Sequence, residues 1–140
     1  MTSWTIIEAP EEEVKSGVLG RRLRHFNYGF VGEYPEQQSV CLSARDRDDR
    51  MIGGLRGFLF LHWLNIEVLW VDEAARATGI GSALLEQAET KARSLGAHSA
   101  MLNTFEWQAP GFYTKHGYHE YGRIDDHTDG YYLAYMKKKL

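Results

Sequence analysis

The feature that most constrains the fold of this chain is a change of hydrophobic period within residues 66–95. Residues 66–71 form a short, almost entirely apolar run, as is usual for a central strand covered on both faces. From residue 79 apolar side chains recur at intervals of three and four, with Glu86, Glu89 and Arg93 between them, which predicts an amphipathic helix over residues 79–95. A buried strand that leads through a glycine-containing turn into a helix is typical of sheets with helices on their faces.

The rest of the sequence predicts further elements on both sides of this unit. Residues 39–44 and 51–61 flank a charged turn and predict a β-hairpin. Residues 10–23 begin with proline and three glutamates, which predicts a helix that ends before a turn-rich segment. The other predicted elements are strands over residues 4–7, 98–104, 118–124 and 131–136, a helix over residues 110–116 and a loop over residues 125–130. The sequence thus predicts a mixed sheet flanked by helices, in one domain spanning residues 1–140.

Composition and charge exclude several classes of protein. The chain carries 16 Lys+Arg and 19 Asp+Glu, a net charge of −3, and lacks the broad positive field of nucleic-acid-binding proteins. The only cysteine, Cys41, excludes an intramolecular disulfide, and its place in a predicted strand suggests a small core residue. The lysines at residues 137–139 suggest a solvated tail. With no signal-peptide pattern and no apolar run long enough to cross a bilayer, we expect a cytoplasmic protein without a nucleic-acid or membrane partner.

The turn between the strand and the helix has the composition of an anion-binding site. Gly79 and Gly81 have no side chain to keep a ligand from the backbone. The free N–H groups of the first helical turn and the positive end of the helix dipole attract negative charge, and Arg76 can add a bidentate contact to a phosphate. The pattern matches neither a P-loop nor the three-glycine dinucleotide fingerprint. It predicts a phosphate or pyrophosphate cradle, with an ordinary helix start containing two packing glycines as the alternative.

Two motifs resemble those of one enzyme family. The pattern Arg76-x-x-Gly79-x-Gly81 resembles the acyl-CoA pyrophosphate loop of the GCN5-related N-acetyltransferase (GNAT) superfamily. Downstream, Phe-Tyr-x-Lys-x-Gly-Tyr at residues 112–118 is similar to the second signature of that family. The resemblance is close over residues 51–140 and extends to the first 50 residues only in the order of elements. It implies an α/β (α+β) fold with a mixed, mostly antiparallel twisted sheet that is splayed at its two central parallel strands.

The resemblance also implies how a co-substrate, acetyl-CoA, would bind. The backbone of Trp70 and Val71 would pair with the pantetheine amides like an added strand. Arg76 would assist the backbone amides that hold the pyrophosphate, which are those of Ala77, Thr78, Gly79, Ile80, Gly81 and Ser82. Where the family often has an asparagine, this chain has Glu106, so Asn103 and Gln108 are the candidates for that contact. The family also often has glycine in place of Ala77, and we expect the small methyl group to be tolerated.

Tyr113 and Glu67 are the candidate catalytic residues. In many family members a tyrosine at the position of Tyr113 protonates the departing thiolate, which suits a group that is protonated at neutral pH. The alternative role for Tyr113 is an aromatic core residue. Glu67 interrupts an apolar strand on the predicted face of Leu69 and Val71, and partial burial would suit it to act as a general base through water. Several family members use a glutamate on this strand, whereas the alternative is a glutamate that pairs with an arginine or faces solvent.

The expected function is acetyl transfer from acetyl-CoA to a primary amine by direct attack in a ternary complex, without a metal. No histidine or acidic spacing matches a recognised zinc or calcium pattern. Acidic residues near the expected acceptor side favour a small cationic amine; these are Glu33, Glu67, Asp72 and Glu73. The alternatives are a protein or peptide amine acetyltransferase and a non-catalytic acyl-CoA-binding regulatory module. The family resemblance further points to a homodimer.

Overall fold

The computed structural model describes residues 3–140, which fall into two compact units. The first unit extends to Pro35 and contains helices α1 (Glu11–Lys15) and α2 (Val18–Val31). Between them Gly17 adopts a φ of 70°, a left-handed conformation that interrupts a helix and that glycine adopts at little cost. The prediction of one helix over residues 10–23 was therefore wrong at both its middle and its end.

Two further predictions in the first unit are corrected. α2 continues through residues 25–29, which the sequence placed in a turn, because Leu19, Leu23, Phe26 and Phe30 repeat at helical spacing. Residues 4–7 form no strand in the described structure. Their β-branched composition favours an extended backbone, but an extended segment becomes a strand only when a neighbouring strand pairs with it.

The second unit, Glu36–Leu140, is built on a six-stranded sheet with strand order β1-β2-β3-β4-β6-β5. The strands are β1 (Gln38–Arg45), β2 (Met51–Phe60), β3 (Trp63–Val71), β4 (Ser99–Phe105), β5 (His119–Thr128) and β6 (Tyr131–Lys139). A 3-10 turn (Glu73–Ala75) precedes helix α3 (Ile80–Ser94), and helix α4 (Pro110–Lys115) follows β4. Only β3 and β4 run parallel among the strands described. The predicted mixed, mostly antiparallel sheet with one parallel pair is confirmed.

The core of this unit lies between α3 and the sheet. Leu84, Leu85, Ala88 and Ala92 form the apolar face of α3, and they pack in one cluster with side chains of the strands, including the fully buried Leu64 of β3. Cys41 is exposed, so its predicted place in the core was wrong. It lies on edge strand β1 directly after the buried Val40, and alternation turns it to the opposite face. Within residues 3–140, none of the helices is long and apolar enough to cross a membrane.

A buried polar cluster joins α3 to β6. Glu89 is only 3% exposed; its Oε2 accepts a hydrogen bond from the Tyr118 hydroxyl at 2.8 Å, and its Oε1 lies 2.8 Å from Lys138 Nζ. Burial together with the Glu89 carboxylate raises the pKa of Tyr118 well above its usual range. The sequence placed Glu89 among the charged side chains outside the apolar face and the lysines at 137–139 in a tail. Both predictions were wrong, because β6 continues to Lys139 and brings Lys138 to the glutamate.

The loop that connects β5 and β6 is shorter than predicted. β5 extends to Thr128 and β6 begins at Tyr131, so the predicted loop over residues 125–130 is mostly strand. The register between the two strands shifts between Ile124 and Thr128, and the polar residues lie in this irregular part of the strand. A strand with such shifts is hard to recognise from alternation alone.

Candidate active site

The parallel pair opens partway along its length. β3 and β4 pair at three positions, the last of which joins Asn65 to Met101. Beyond that position the two strands share no further pairing in the described chain, and they diverge as the family resemblance predicted. The edge of β3 that faces β4 is therefore available over residues 66–71 for main-chain hydrogen bonds to a ligand.

A β-bulge lies at the point where the strands part. Gly57 of β2 pairs with Ile66, but its neighbour Arg56 pairs with Val68, so Glu67 is an extra residue in β3. The bulge shifts the alternation of the strand: the core-facing positions are even before it, as at Ile66, and odd after it, as at Leu69. Sequence periodicity alone could not locate this change of phase.

The bulge changes the environment expected for Glu67. Its side chain is 45% exposed, and its Oε1 lies 3.5 Å from Arg56 Nε across the strand pair. The prediction that Glu67 is partly buried on the face of Leu69 and Val71 was therefore wrong. The structure matches the alternative, in which the glutamate pairs with an arginine. Glu67 nevertheless lines the same cavity as the other candidate residues.

A cavity of about 750 Å³ lies at the opening between β3 and β4. It draws its walls from six segments: the end of β3, the turn before α3, the first turn of α3, the end of β4, the loop leading into α4 and α4 itself. The predicted site residues in these walls are Glu67, Trp70, Val71, Arg76, Ala77, Gly79, Ile80, Gly81, Ser82, Asn103, Gln108 and Tyr113. The structure thus gathers residues that are distant in sequence, and of the predicted set Thr78 alone is not in the cavity wall.

The first turn of α3 forms one end of the cavity. Gly79 precedes the helix with a φ of 90°, and its carbonyl accepts the first helical hydrogen bond, from Ala83 N–H at 3.0 Å. The amides of the preceding first-turn residues have no acceptor within a helix and point outward from its start. A Cβ built on Gly79 would meet no atom within 4 Å, whereas one on Gly81 would lie 3.5 Å from the Phe112 ring. The helix start is therefore open above Gly79 and packed against α4 at Gly81.

Arg76 is fixed beside this helix start by the end of β3. Its Nε donates a hydrogen bond to the carbonyl oxygen of Val71 at 3.1 Å. The guanidinium also carries Nη1 and Nη2, which can bind a phosphate oxygen in fork geometry. Strand, turn and helix start are thus held in one arrangement that suits an anion.

Ala77 occupies a strained backbone conformation in this turn. Its φ is 63°, in the left-handed region that costs an L-residue roughly 1–2 kcal/mol. The methyl group was expected to be tolerated, and the turn forms around it with this strain.

We expect Ala77→Gly to stabilise the protein by about 0.5–1 kcal/mol. Removing the Cβ relieves the left-handed strain, and the greater flexibility of glycine in the unfolded chain offsets part of the gain. Urea unfolding measures the change in the free energy of unfolding. The matched control is Ala74→Gly in the neighbouring 3-10 turn, which should destabilise the protein instead; a loss of stability at both positions would contradict the interpretation.

Tyr113 projects from α4 into the cavity wall. It is 7% exposed, and burial raises its pKa to about 12. α4 and the residue that follows it pack near the start of α3: the ring centroids of Phe112 and His116 are 4.6 Å apart, and His116 Nε2 lies 2.9 Å from Ser82 Oγ. The spacing of His116 and His119 matched no metal-site pattern and favoured a solvated loop, so the contact of His116 with Ser82 was missed. A single histidine before a turn carries no signal that could have identified it.

Polar side chains at the end of β4 and in the loop before α4 differ in whether they line the cavity and could contact the co-substrate. The Glu106 carboxylate accepts a hydrogen bond from Tyr132 N–H at 3.2 Å, which turns it towards β6. Asn103 and Gln108 both line the cavity, and the Gln108 Oε1 accepts the Phe105 N–H at 2.8 Å. This hydrogen bond holds the Gln108 side chain, including its amide nitrogen, in a fixed position. Within residues 3–140 the structure brings together no group of three histidine, cysteine or acidic side chains that could hold a metal ion.

A mixed sheet that opens at its parallel pair, with a glycine-led helix start at the opening, is the architecture that the two sequence motifs implied for an N-acetyltransferase. The model of the acetyltransferase (GNAT) family matches residues 5–118. The chain belongs to this family and is an N-acetyltransferase.

Relatives and solved structures agree with this assignment. The blasticidin-S acetyltransferase of Streptomyces morookaense is 38% identical over 91 residues, which cover 64% of this chain and 67% of that protein. The peptidyl-lysine N-acetyltransferase YjaB of Salmonella typhimurium is 32% identical over 99 residues, covering 69% of this chain and 63% of that protein. The crystal structure of an acetyltransferase from Bacillus cereus matches with a TM-score of 0.83 at 30% identity, covering 98% of each chain.

Proposed function

We propose that this N-acetyltransferase moves an acetyl group from acetyl-CoA to a small cationic primary amine by direct attack in a ternary complex. One observation carries the proposal: a single cavity is lined by the start of α3, the open edge of β3, Tyr113 and Glu67. These supply an anion site, main-chain hydrogen bonds, a protonated hydroxyl and a carboxylate, which are the groups that amide formation from a thioester can use.

The residues in the cavity wall fit the chemical parts of acetyl-CoA, which supplies an activated acetyl thioester when bound. The amides at the start of α3 and the terminal nitrogens of Arg76 would hold the pyrophosphate, with the open space above Gly79 to admit it. The backbone of Trp70 and Val71 would pair with the pantetheine amides. Asn103 and Gln108 would add side-chain contacts from the opposite wall.

Tyr113 would act as the general acid. Because burial raises its pKa to about 12, the hydroxyl keeps its proton at neutral pH. It would give that proton to the thiolate sulfur as the carbon–sulfur bond breaks. Glu67 would accept, through a water molecule, the proton that the ammonium must lose before its nitrogen attacks the carbonyl carbon. The nitrogen would lose its second proton as the amide forms, which balances the proton that Tyr113 gives to the sulfur.

The charge of the site and the relatives support a small cationic acceptor. Glu67 is the carboxylate in the cavity wall, whereas Asp72 and Glu73, which were expected near the acceptor, follow β3 and are not among the wall residues. The name of the Streptomyces relative refers to a small molecule, blasticidin-S. The Salmonella relative is named for peptidyl-lysine, which makes a lysine side chain the second candidate acceptor.

Calorimetric titration with acetyl-CoA, followed by measurement of free-thiol release with a panel of amines, tests the proposal. The panel would hold small amines, polyamines, aminoglycosides and lysine-containing peptides. Binding together with thiol release that depends on a small amine is the expected result. Release with peptides alone would favour the second candidate, and binding without release from any acceptor would favour a regulatory module.

Gly79 and Gly96 provide a matched pair of variants for the binding step. Both glycines have positive φ, 90° and 98°, and a Cβ on either would meet no atom within 4 Å, but Gly79 alone lines the cavity. Gly79→Leu and Gly96→Leu thus introduce similar backbone strain. Only Gly79→Leu should abolish acetyl-CoA binding; equal binding by the two variants would contradict the assignment of the cradle.

We expect Glu67→Gln to lower turnover by about 10²-fold at pH values below the pKa of the amine, and by much less above it. A base is needed only while the amine is protonated, so high pH should restore activity. The pH dependence of kcat checks this. Arg56→Gln is the control, because it removes the ion pair but keeps the carboxylate. An unchanged pH profile in Glu67→Gln would leave Glu67 with a structural role.

A further inference from the structure

A cluster of aromatic side chains lies at one wall of the cavity, and the proposed acetyl transfer assigns it no role. The rings of Phe105 and Trp107 are stacked with centroids 4.3 Å apart and planes within 12°. Tyr131 meets Trp107 edge-on at 5.1 Å, and His127 meets Phe105 edge-on at 5.2 Å. The cluster joins the end of β4 and the loop after it to the hairpin of β5 and β6, and neither part contributes to the anion cradle.

Trp107 is the member of this cluster that a ligand can reach. Its side chain is 50% exposed and lines the same cavity as Glu67 and Tyr113. Phe105 stacks on one face of the indole and the Tyr131 ring packs against it at 73°, so the ring is held in place although half of it is exposed. A large, rigid and exposed aromatic surface inside a cavity is suited to binding another flat ring.

We propose that Trp107 determines acceptor specificity by binding a flat, unsaturated ring, so that the acceptor is an amine attached to an aromatic or heteroaromatic group. The inference rests on the proposed acetyl transfer and narrows its substrate class. The ring would lie against Trp107, while the positively charged amine would lie towards the Glu67 carboxylate in the same cavity. Both contacts are needed to select this class of substrate. A carboxylate alone would bind any cation, and an indole alone would bind any flat group.

The energetics indicate how large the preference should be. Paired aromatic rings gain more than area burial alone gives, by an amount that corresponds to about threefold to tenfold in binding. A saturated ring of the same size buries a similar area but cannot stack. The preference for the flat ring should therefore be found in the KM of the amine, with little change in kcat.

The test compares 2-phenylethylamine with 2-cyclohexylethylamine, with rates expressed per free-base amine. These amines share chain length and differ in whether the ring is flat. The wild-type protein should show a KM about threefold to tenfold lower for the phenyl compound. Trp107→Leu should abolish the difference and leave the KM for acetyl-CoA unchanged, and Trp107→Phe, which keeps a ring and preserves the stack, should retain most of it. Tyr121→Leu is the matched control, because Tyr121 is equally exposed at 50% but does not line the cavity.

The outcomes separate this inference from the function on which it rests. Equal KM values for the two amines in the wild-type protein would overturn the inference while leaving acetyl transfer intact, and this reading does not depend on any variant folding. A rise in the KM for acetyl-CoA in Trp107→Phe would also overturn it, because Trp107 would then contact the co-substrate. Absence of thiol release with every amine and peptide would instead overturn the proposed function itself.

Discussion

Tyr113→Phe should lower turnover roughly 10²-fold or more while leaving the affinity for acetyl-CoA unchanged. The substitution removes one hydroxyl and keeps a ring that fills the same buried position in α4. Without the hydroxyl, the departing thiolate has no proton donor at this place in the cavity wall. Thiol release measures kcat, and calorimetry measures the affinity.

The pH dependence of the wild-type protein provides an independent check on Tyr113. Since burial raises its pKa to about 12, the hydroxyl stays protonated throughout the neutral and moderately alkaline range. We therefore expect kcat to show no loss from this group below about pH 10, the pKa of an unperturbed tyrosine. Tyr121→Phe is the control, an exposed tyrosine outside the cavity. If Tyr113→Phe keeps full turnover, the general acid must be sought elsewhere.

Glu89→Ala should lower the free energy of unfolding by roughly 3–5 kcal/mol, because it leaves a partly buried ammonium and a buried hydroxyl without their partner. Lys138 and Tyr118 both contact the Glu89 carboxylate at 2.8 Å. A loss of this size is a large part of the roughly 5–15 kcal/mol that holds a typical domain folded. Urea or thermal unfolding would measure it.

The control for Glu89 lies on the same helix. Glu86 is an exposed glutamate of α3, so Glu86→Ala should change stability by no more than about 0.5 kcal/mol. Equal and small effects at the two positions would show that the buried cluster contributes little. A large effect at Glu89 alone would show that Lys138, in the lysine run at residues 137–139, belongs to the folded core.

The regular parts of the second unit could be predicted because their hydrophobic patterns are simple. α3 has a clear helical period, and the β1–β2 hairpin has two strands around a charged turn. The helix start that would form the proposed anion cradle could be predicted because Arg76, Gly79 and Gly81 lie within one short turn. In each case local spacing and tertiary structure agree, which is the situation in which sequence patterns are informative.

The remaining features depend on contacts that no local pattern encodes. Glu89 looks like a surface residue until β6 brings Lys138 to it. The phase of β3 changes at Glu67 only because the opposing β2 lacks one residue there. Trp107 enters the cavity wall because Phe105 and Tyr131 hold it, and those three residues come from two separate segments. The single domain, the homodimer and the cytoplasmic location stay predictions.

If acetyl-CoA binds at the opening between β3 and β4 as proposed, the stability of the protein depends on the supply of this co-substrate. A sheet that stops pairing after Asn65 and Met101 leaves backbone groups that the fold alone does not satisfy. A ligand that binds the folded chain and not the unfolded one adds RT ln(1 + [L]/Kd), about 2.7 kcal/mol at a concentration one hundred times Kd. If acetyl-CoA is that ligand, the survival of this protein against heat and proteases should rise and fall with the acetyl-CoA level of the cell, so that its abundance would itself report on metabolic state.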